Sequence, residues 1–313
     1  MSLERALELA ERGRGTTHPN PVVGAVVVRD GQIVGEGWHE RKGGPHAEVV
    51  ALAAAGDGAR GSTLYVTMEP CSHHGSTPPC TEAVLRSGVR KVVAGSLDPN
   101  PEARGGLELL RERGVEVELV DSFEARAQNE AWRVWVLQQR PFVVLKLALT
   151  LDGRVTVPGT RWISGEDSRR RVHELRAQVD AVGVGMGTVR ADDPQLTARG
   201  VGAERQPRRL AFGQGPLPER SELELRSGPI DEEIRALAAD GVQSLLLEGG
   251  PTLAVSFLRA DVVDKLVLFV ASRIAGAGLL FAPDLEEPIS LTRPSVEQIG
   301  DDLLYTAYVR EPS

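Results

Sequence analysis

The sequence predicts an α/β protein of two domains. Its 313 residues exceed the usual size of one domain and are enough for two separate cores. In both halves, short apolar runs alternate with segments of helical period, which favours helices layered on a mixed sheet. The stretch Gln139-Arg140-Pro141 interrupts this alternation. We therefore expect domains at residues 1–140 and 141–313.

The composition is that of an ordinary globular protein, with 41% hydrophobic and 26% charged residues. A formal net charge of -8 argues against nonspecific nucleic-acid binding through bulk charge, and leaves only a local basic groove open. The first residues do not form a signal peptide, and no apolar segment approaches the roughly 18 residues of a membrane span. Two cysteines do not make a disulfide scaffold. We expect a cytoplasmic protein without nucleic-acid or membrane partners.

In the first half, apolar spacing and turn residues separate the elements. Leu3, Ala6, Leu7 and Ala10 have helical spacing, and Asp30-Gly31 is a hairpin turn signal. The patterns predict helices over 3–12, 46–55, 80–87, 104–113 and 123–139, and strands over 22–28, 33–38, 63–68, 89–95 and 115–120.

The second half repeats the alternation with its own core. A buried strand over 141–149 opens it, and Asp152-Gly153 ends that strand. The remaining patterns predict helices over 166–177, 231–239 and 251–258, and strands over 179–184, 208–212, 242–247, 265–270 and 303–309.

His46, Glu48, Cys71 and Cys80 are the residue types of a zinc hydrolase. A His-x-Glu followed by Pro-Cys and a second Cys is typical of zinc deaminases, in which three residues hold the metal and the Glu moves protons. Since His46 and Glu48 are two apart, they can serve one site only beyond the N-terminal end of a helix. Thiols near helix N-termini lose their proton readily, as zinc ligation requires.

Three other interpretations of these residues stay open. A structural zinc site would have four protein ligands, and Cys71 and Cys80 could form a disulfide. His73 or His74 could replace His46 or add a fourth ligand. Eight residues separate the cysteines, whereas two are usual in deaminases. This polar, proline-rich insertion is expected to contact substrate.

Two glycine-rich stretches in the second half are candidates for nucleotide binding. Gly183, Gly185 and Gly187 lack the spacing of a dinucleotide fingerprint and form a weak signal. Glu248-Gly249-Gly250-Pro251-Thr252 lies between a predicted strand and a predicted helix. Glycines there let the backbone approach a phosphate, and the N–H groups at the helix start point at it.

These motifs resemble those of the bifunctional deaminase/reductase family of riboflavin biosynthesis. In the first half the resemblance rests on Thr17 to Gly24, His46 to Val49 and Glu69 to Cys80. In the second half it rests on Leu145 to Arg154, Thr160 to Ser164, residues 185–199 and Glu248 to Leu253. It implies a cytidine-deaminase-like three-layer α/β domain followed by a dihydrofolate-reductase-like α/β domain. It also implies Zn²⁺ for the first domain and NADPH for the second.

The resemblance further implies the substrate and its contacts. The first half would deaminate 2,5-diamino-6-(ribosylamino)pyrimidin-4-one 5'-phosphate, with Glu48 as catalytic residue, and the second half would reduce the ribosyl group to ribityl. The implied substrate contacts of the deaminase are Asn20, His39, His73 and His74. The implied cofactor contacts of the reductase are Ala148, Trp162, Thr188, Asp192, Gly250, Pro251, Thr252, Leu253, Ala254, Val255 and Ser256. Its implied substrate contacts are Thr160, Arg176, Leu196, Arg199 and Glu248.

Several of these residues could instead have a structural or surface role. Asn20 could cap a turn, His39 could lie at the surface end of a strand, and Trp162 could belong to the core. Arg176 and Arg199 suit a phosphate, because guanidinium forks match its oxygens, but they could also be surface charges.

The chain departs from its relatives in two places. Members of the family often carry a basic residue where this chain has Ser76, which leaves open what neutralises the phosphate; Arg41 and Lys42 are candidate substitutes. Gly213-Gln214 stands where Asp-Ser is frequent, and the short segment 213–230 leaves the 2'-phosphate pocket of the cofactor undefined.

Two other functions stay open. One is a nucleic-acid base deaminase, and the other is a zinc deaminase whose second half is a non-catalytic module. We also expect a homo-oligomer, either a dimer or a tetramer.

Overall fold

The computed structural model describes residues 2–75, 78–203, 205–283 and 285–313. The chain divides into two compact units, Met1–Gln138 with Pro312–Ser313, and Gln139–Glu311. This division lies two residues before the boundary expected from the sequence, and the last two residues join the first unit. No helix in the described part of the chain is long and apolar enough to cross a membrane.

The first unit is built on a five-stranded mixed sheet in the order β2-β1-β3-β4-β5. Its strands are β1 (Gly24–Arg29), β2 (Gln32–Trp38), β3 (Thr63–Val66), β4 (Lys91–Ala94) and β5 (Glu116–Leu119). β1 is antiparallel to β2 and β3, and β3, β4 and β5 are parallel. The three parallel strands bring their carboxyl ends to one edge, where the first candidate site lies.

Helices cover both faces of this sheet. They are α1 (Ser2–Glu11), α2 (Ala47–Ala55), α3 (Cys80–Ser87), α4 (Gly106–Glu112), α5 (Phe123–Gln128) and α6 (Glu130–Gln138), and a 3-10 turn spans Gly56–Ala59. Ala25 and Val27 of β1 face α2, α3 and α4, whereas Val26 between them packs against α1. Side chains that alternate in this way bury both faces of a strand, and they confirm the expected three-layer fold.

Two glycines bring the candidate zinc ligands close to the sheet. At Gly37 of β2, a Cβ would lie 2.5 Å from Ala51 N, so the missing side chain lets α2 pack directly on the strand. At Gly106, the first residue of α4, a Cβ would lie 1.7 Å from Pro70 O. Glycine is therefore required where α4 meets the turn that carries Cys71.

The second unit contains an eight-stranded sheet in the order β12-β13-β11-β6-β10-β7-β8-β9. Its strands are β6 (Phe142–Thr150), β7 (Ala181–Gly185), β8 (Arg208–Phe212), β9 (Glu224–Arg226), β10 (Ser244–Leu247), β11 (Lys265–Ala271), β12 (Thr292–Ile299) and β13 (Asp302–Tyr308). Only β13 runs against its neighbours, β11 and β12. The carboxyl ends of β6, β10, β7 and β8 share one edge, which in open α/β sheets is the ligand-binding edge.

Helices also cover both faces of the second sheet. They are α7 (Glu166–Gln178), α8 (Met186–Asp192), α9 (Ile230–Ala239) and α10 (Pro251–Arg259). Leu145 and Leu247 face α9 and α10, while Val182 and Val184 belong to the core on the opposite face. This nearly parallel, doubly covered sheet agrees with the expected fold class.

The structure corrects the predicted helix over 123–139, which is interrupted at Asn129. The Asn129 side chain is buried and bonds both backbone groups of Val22, at 2.9 Å each. An asparagine whose amide serves another segment in this way interrupts the helix, so α5 and α6 are separate.

Three elements of the second unit were not predicted. Strand β9 has only three residues, and β12 is an edge strand that exposes seven of its eight residues, so neither shows an alternating apolar pattern. The short helix α8 follows Gly185 at once and lies inside the glycine-rich stretch.

Candidate active sites

His46, Cys71 and Cys80 form a compact group whose ligand atoms all lie within 4.8 Å of one another. His46 is the extended residue before α2, and Cys80 is the first residue of α3. His46 Nδ1 lies 3.1 Å from Cys80 Sγ and 3.7 Å from Cys71 Sγ. Among the residues that the structure describes, no fourth ligand joins this group, and neither His73 nor His74 takes part in it. The arrangement therefore lacks the fourth protein ligand of a structural zinc site.

Both cysteines are free thiols, so the disulfide alternative is wrong. A hydrogen bond shared with Cys80 lowers the pKa of Cys71 to about 4, and the same bond raises the pKa of Cys80. The hydrogen bond with Cys71 also raises the pKa of His46. One imidazole and two thiols on rigid elements suit Zn²⁺, which favours tetrahedral sites with nitrogen and sulfur ligands.

Glu48 lies two residues into α2 and is only 3% exposed. Burial raises the pKa of its carboxyl to about 7, against the opposing charge of His46. Its side chain is hydrogen-bonded to Cys80. A carboxyl that is buried beside the ligand group and has a pKa near 7 is suited to accept and return a proton.

A cavity of about 380 Å³ opens beside this group. His46, Glu48 and Cys71 line it together with Asn20 and His39. Asn20 Nδ2 lies 3.4 Å from His39 Nε2, and the rings of His39 and His46 meet edge to face, with centroids 5.4 Å apart. Because His39 is 4% exposed, its interpretation as a surface residue is wrong.

The polar insertion between the two cysteines was expected to contact substrate, and only one of its two histidines lines the cavity. His73 lines the cavity, and its buried Nδ1 has no hydrogen-bond partner within the described part of the chain. His74 instead points outward, 74% exposed and 3.5 Å from Glu82. Ser76 lies outside the described residues. The exposed Arg41 and Lys42, proposed as its substitutes, are not among the residues that line the cavity.

Sequence analysis missed several cavity residues as site residues, and three of them bear on the chemistry of the site. Trp132 and Trp135 of α6 form an apolar wall, and Asp98 adds a buried carboxylate. Asp98 belongs to the loop after β4, which Glu69 holds by accepting backbone N–H bonds from Asp98, Gly105 and Leu107, at 3.2, 3.1 and 3.0 Å. A polar residue in the loop that follows a buried strand, four residues beyond the end of β4, was the signal that could have identified it.

The second candidate site is a buried ion cluster at the carboxyl end of β10. Arg176 of α7 donates two hydrogen bonds to Glu248, at 2.6 and 2.9 Å. Lys146 of β6 lies 3.5 Å from the same carboxylate, and all three side chains are 9–14% exposed. Burial works against ionisation of Glu248, but the charges of Lys146 and Arg176 outweigh it and lower its pKa. Burial lowers the pKa of Lys146.

The segment after α8 meets α7 beside this cluster. Arg176 and His173 both contact the carbonyl of Thr197, at 3.1 and 3.0 Å, so Arg176 is not a solvated surface charge. Leu196 is buried with a left-handed backbone. The Arg199 side chain is exposed, and its bond to Gln195 Oε1 measures 3.1 Å.

The predicted cofactor contacts are distributed along one edge of the second sheet. Ala148 lies on β6, Thr188 and Asp192 lie on α8, and the run from Gly250 to Ser256 begins α10. Within that run, Ala254 and Val255 are buried, so their side chains belong to the protein interior.

Two predicted contacts of the second site lie in the exposed segment before α7. Trp162 is 54% exposed, which excludes the core interpretation, and the guanidinium groups of Arg161 and Arg169 lie 5.1 and 5.2 Å from its ring centroid. Thr160 is exposed nearby.

Taken together, the two units have the features of a two-domain enzyme that joins a zinc-dependent deaminase to a nucleotide-dependent reductase. Two family models match the chain: the cytidine and deoxycytidylate deaminase zinc-binding region over residues 2–96, and the RibD C-terminal domain over residues 141–305.

Relatives and solved structures match nearly the whole chain. The riboflavin biosynthesis protein RibD of Aquifex aeolicus is 42% identical, with 96% of each chain covered, and that of Escherichia coli is 39% identical, with 91% covered. The deaminase/reductase of Thermotoga maritima has a TM-score of 0.85 at 36% identity, covering 98% of this chain and 97% of that one. RibD of Acinetobacter baumannii has a TM-score of 0.87 at 34% identity, with the same coverage.

The chain belongs to the RibD family of riboflavin biosynthesis enzymes. It is a bifunctional enzyme, with a zinc-dependent deaminase activity and an NADPH-dependent reductase activity. The expected fold class and the cofactors Zn²⁺ and NADPH are confirmed, and a non-catalytic second half is not favoured.

Proposed function

We propose that residues 1–140 remove the 2-amino group of 2,5-diamino-6-(ribosylamino)pyrimidin-4-one 5'-phosphate, and that residues 141–313 then reduce the ribosyl group to ribityl. The single observation that carries the first step is the group formed by His46, Cys71 and Cys80, which opens on a cavity beside buried Glu48. Enzymes of the RibD family act on a phosphorylated pyrimidine, and the proposed substrate belongs to this class.

In the deaminase site, His46, Cys71 and Cys80 would hold the zinc ion. When bound, the ion supplies Lewis acidity that lowers the pKa of water to about 7. Glu48 would accept the proton from that water and return it to the amino group that leaves as ammonia. Burial keeps bulk water from this carboxyl, and the helix start fixes its position.

The side walls of the cavity would orient the pyrimidine. Asn20, His39 and His73 present polar atoms toward it, and the indoles of Trp132 and Trp135 provide apolar surface against which a flat ring can pack. His74, which was predicted as a further contact, has a solvent-facing position that does not support this role.

In the reductase site, NADPH supplies the hydride, and the protein supplies position and charge. Ala148, Trp162, Thr188, Asp192 and the start of α10 from Gly250 to Ser256 would bind the cofactor. Ala254 and Val255 could take part only through their backbone, because both side chains are buried.

The ion cluster would bind the sugar of the substrate. Glu248, held ionised by Arg176 and Lys146, can accept hydrogen bonds from sugar hydroxyl groups. Thr160 and Leu196 would complete the site from adjoining segments. Arg199 is the cation we assign to the phosphate, because the fork of Arg176 is occupied by Glu248.

We further propose that the protein acts in the cytoplasm as a homo-oligomer. Edge strand β12 and its neighbour β13 support the assembly, since Val296 is 64% exposed and Leu303 41% exposed. Exposed apolar side chains on a sheet edge favour pairing with another copy.

One experiment separates the two activities. The purified protein is incubated with the diaminopyrimidine, with and without NADPH, and ammonia release and NADPH oxidation are followed separately. We expect ammonia release without NADPH, and NADPH oxidation only after deamination. A zinc chelator should stop ammonia release, yet leave NADPH oxidation intact when the deaminated compound is supplied. The proposed second activity would be contradicted if NADPH showed no saturable binding while ammonia release was normal.

A further inference from the structure

His173 is a histidine of α7 to which the proposed function gives no role. It lies three residues before Arg176, and both side chains contact the segment after α8. His173 Nδ1 has two backbone neighbours in that segment, Thr197 O at 3.0 Å and Arg199 N at 3.2 Å. One ring nitrogen cannot donate to the first and accept from the second at the same time.

The two backbone groups differ in the partners they have besides His173. Thr197 O also accepts a hydrogen bond from Arg176, at 3.1 Å. For Arg199 N, His173 Nδ1 is the only acceptor in the described part of the chain. A backbone N–H group always carries its proton, so this bond requires a lone pair on Nδ1. A neutral ring with its proton on Nε2 therefore leaves neither backbone group without a partner.

The surroundings of the ring favour the same neutral form. Arg176 faces it from its own helix and Arg199 from the segment after α8, whereas Glu248 at the end of β10 opposes these two cations. Burial and the two cations lower the pKa of His173 from its ordinary value of about 6.5. At pH 7 the ring is therefore neutral and can accept the bond from Arg199 N.

The bond to His173 holds the residue at which the segment leaves its other anchors. Gln206 bonds both backbone groups of Ala198, at 2.8 and 2.9 Å. On the other side, Arg199 is followed by Gly200, which is exposed and has a left-handed backbone with a φ of 70°. Glycine restrains the neighbouring backbone little. His173 is thus the contact that fixes the backbone of Arg199, the cation assigned to the substrate phosphate.

We propose that neutral His173 is a positioning residue of the reductase, which holds the backbone of Arg199 so that its guanidinium meets the substrate phosphate. Protonation places an N–H group opposite the N–H group of Arg199 and adds a positive charge beside Arg176 and Arg199. The bond is then lost, and the segment is released from α7. This inference rests on the proposed function of the second unit.

Binding of the phosphorylated substrate should therefore weaken as the pH falls. His173 is neutral above its pKa, which lies below the ordinary value of about 6.5, and KM should rise as the pH falls through it. The competing role is a direct contact, in which protonated His173 binds the phosphate itself and KM falls at low pH. The phosphate titrates near pH 6 as well, but it does so equally with every variant.

Two variants separate these roles. His173→Asn places an amide oxygen near the position of Nδ1, so it keeps an acceptor for Arg199 N but cannot be protonated. His173→Ala removes the acceptor. His74→Asn, the same exchange at a 74% exposed histidine of the first unit, is the matched control.

The measurements are KM and kcat of NADPH oxidation with the deaminated phosphate, from about pH 5.5 to about pH 8, and the Kd of NADPH from a fluorescence titration. We expect His173→Ala to raise KM by about threefold to tenfold at the upper pH, the scale of one hydrogen bond, with kcat nearly unchanged. His173→Asn should keep the original KM there and show a smaller rise at low pH than the unaltered protein. His74→Asn should match the unaltered protein, and no variant should change the Kd of NADPH.

Any of three results would overturn the inference. An original KM in His173→Ala would show that Arg199 needs no such anchor. A KM in His173→Asn as high as in His173→Ala, or a KM of the unaltered protein that falls at low pH, would favour the direct contact. Loss of NADPH binding in both variants would show a general structural role. Absence of NADPH oxidation in the unaltered protein would instead contradict the proposed function, so the two failures are distinguishable.

Discussion

Replacing Glu48 with Gln tests the assignment of the proton-transfer residue. Glutamine has nearly the same shape, so at a position only 3% exposed it should leave no cavity and keep the start of α2 intact. His46, Cys71 and Cys80 are unchanged, and the group that they form does not include Glu48. We therefore expect the variant to bind one zinc ion per chain, as the unaltered protein does.

The expected loss is confined to the rate of deamination. Proton transfer by a positioned side chain typically contributes 10²- to 10⁴-fold, which corresponds to about 3–5 kcal/mol of barrier. The upper part of that range is expected here, because Glu48 is buried beside the ligand group and has a pKa raised to about 7 by burial. An amide at this position can neither accept nor return the proton.

The assay follows ammonia release together with zinc content by atomic emission. NADPH oxidation with the deaminated compound serves as the control for folding, since it depends on the second unit. Loss of zinc in Glu48→Gln would mean that the carboxylate is a ligand. A rate within tenfold of the original would mean that another group transfers the proton.

Two further predictions concern the second unit. Arg199→Ala should raise KM for the deaminated phosphate by about tenfold or more, the scale of a hydrogen bond to a charged group, whereas Arg170→Ala on the exposed side of α7 should not. An unchanged KM in steady-state NADPH oxidation would remove Arg199 from the phosphate site. Asp264→Ala leaves the guanidinium of Arg140 buried without its two 2.6 Å bonds and also removes the acceptor of Val143 N, so unfolding of this unit should become about 3–5 kcal/mol easier. Urea denaturation measures this change, and a difference below about 1 kcal/mol would show that the pair contributes little.

Local sequence signals were sufficient to predict an element when residues of the same segment determine where it begins. The helix that starts after His46 and the helix that starts at Cys80 are both preceded by proline-containing turns, and the structure has both. The close approach of His46, Cys71 and Cys80 could also be predicted, because a zinc site requires its ligands to lie close together. Their hydrogen bonds and the burial of Glu48 could not be known without the fold.

Interactions between distant segments could not be predicted from sequence patterns. Asn129 interrupts a helix because its amide bonds the backbone of Val22, 107 residues earlier. Nothing in the helical spacing of 123–139 indicates that partner. Asp98 likewise resembles an ordinary loop residue until the fold places it in the cavity wall.

The most consequential of these distant contacts joins Arg176 to Glu248, 72 residues apart. As separate residues, an arginine suits a phosphate and a glutamate suits sugar hydroxyl groups. Once the two are paired at 2.6 and 2.9 Å, both parallel N–H groups of the arginine are committed to the carboxylate, and its remaining nitrogen bonds Thr197 O. To bind a phosphate as well, Arg176 would have to leave Glu248 buried with only Lys146, at a cost of several kcal/mol. Phosphate recognition is therefore better served by a cation such as Arg199, which gives up only one exposed bond to Gln195.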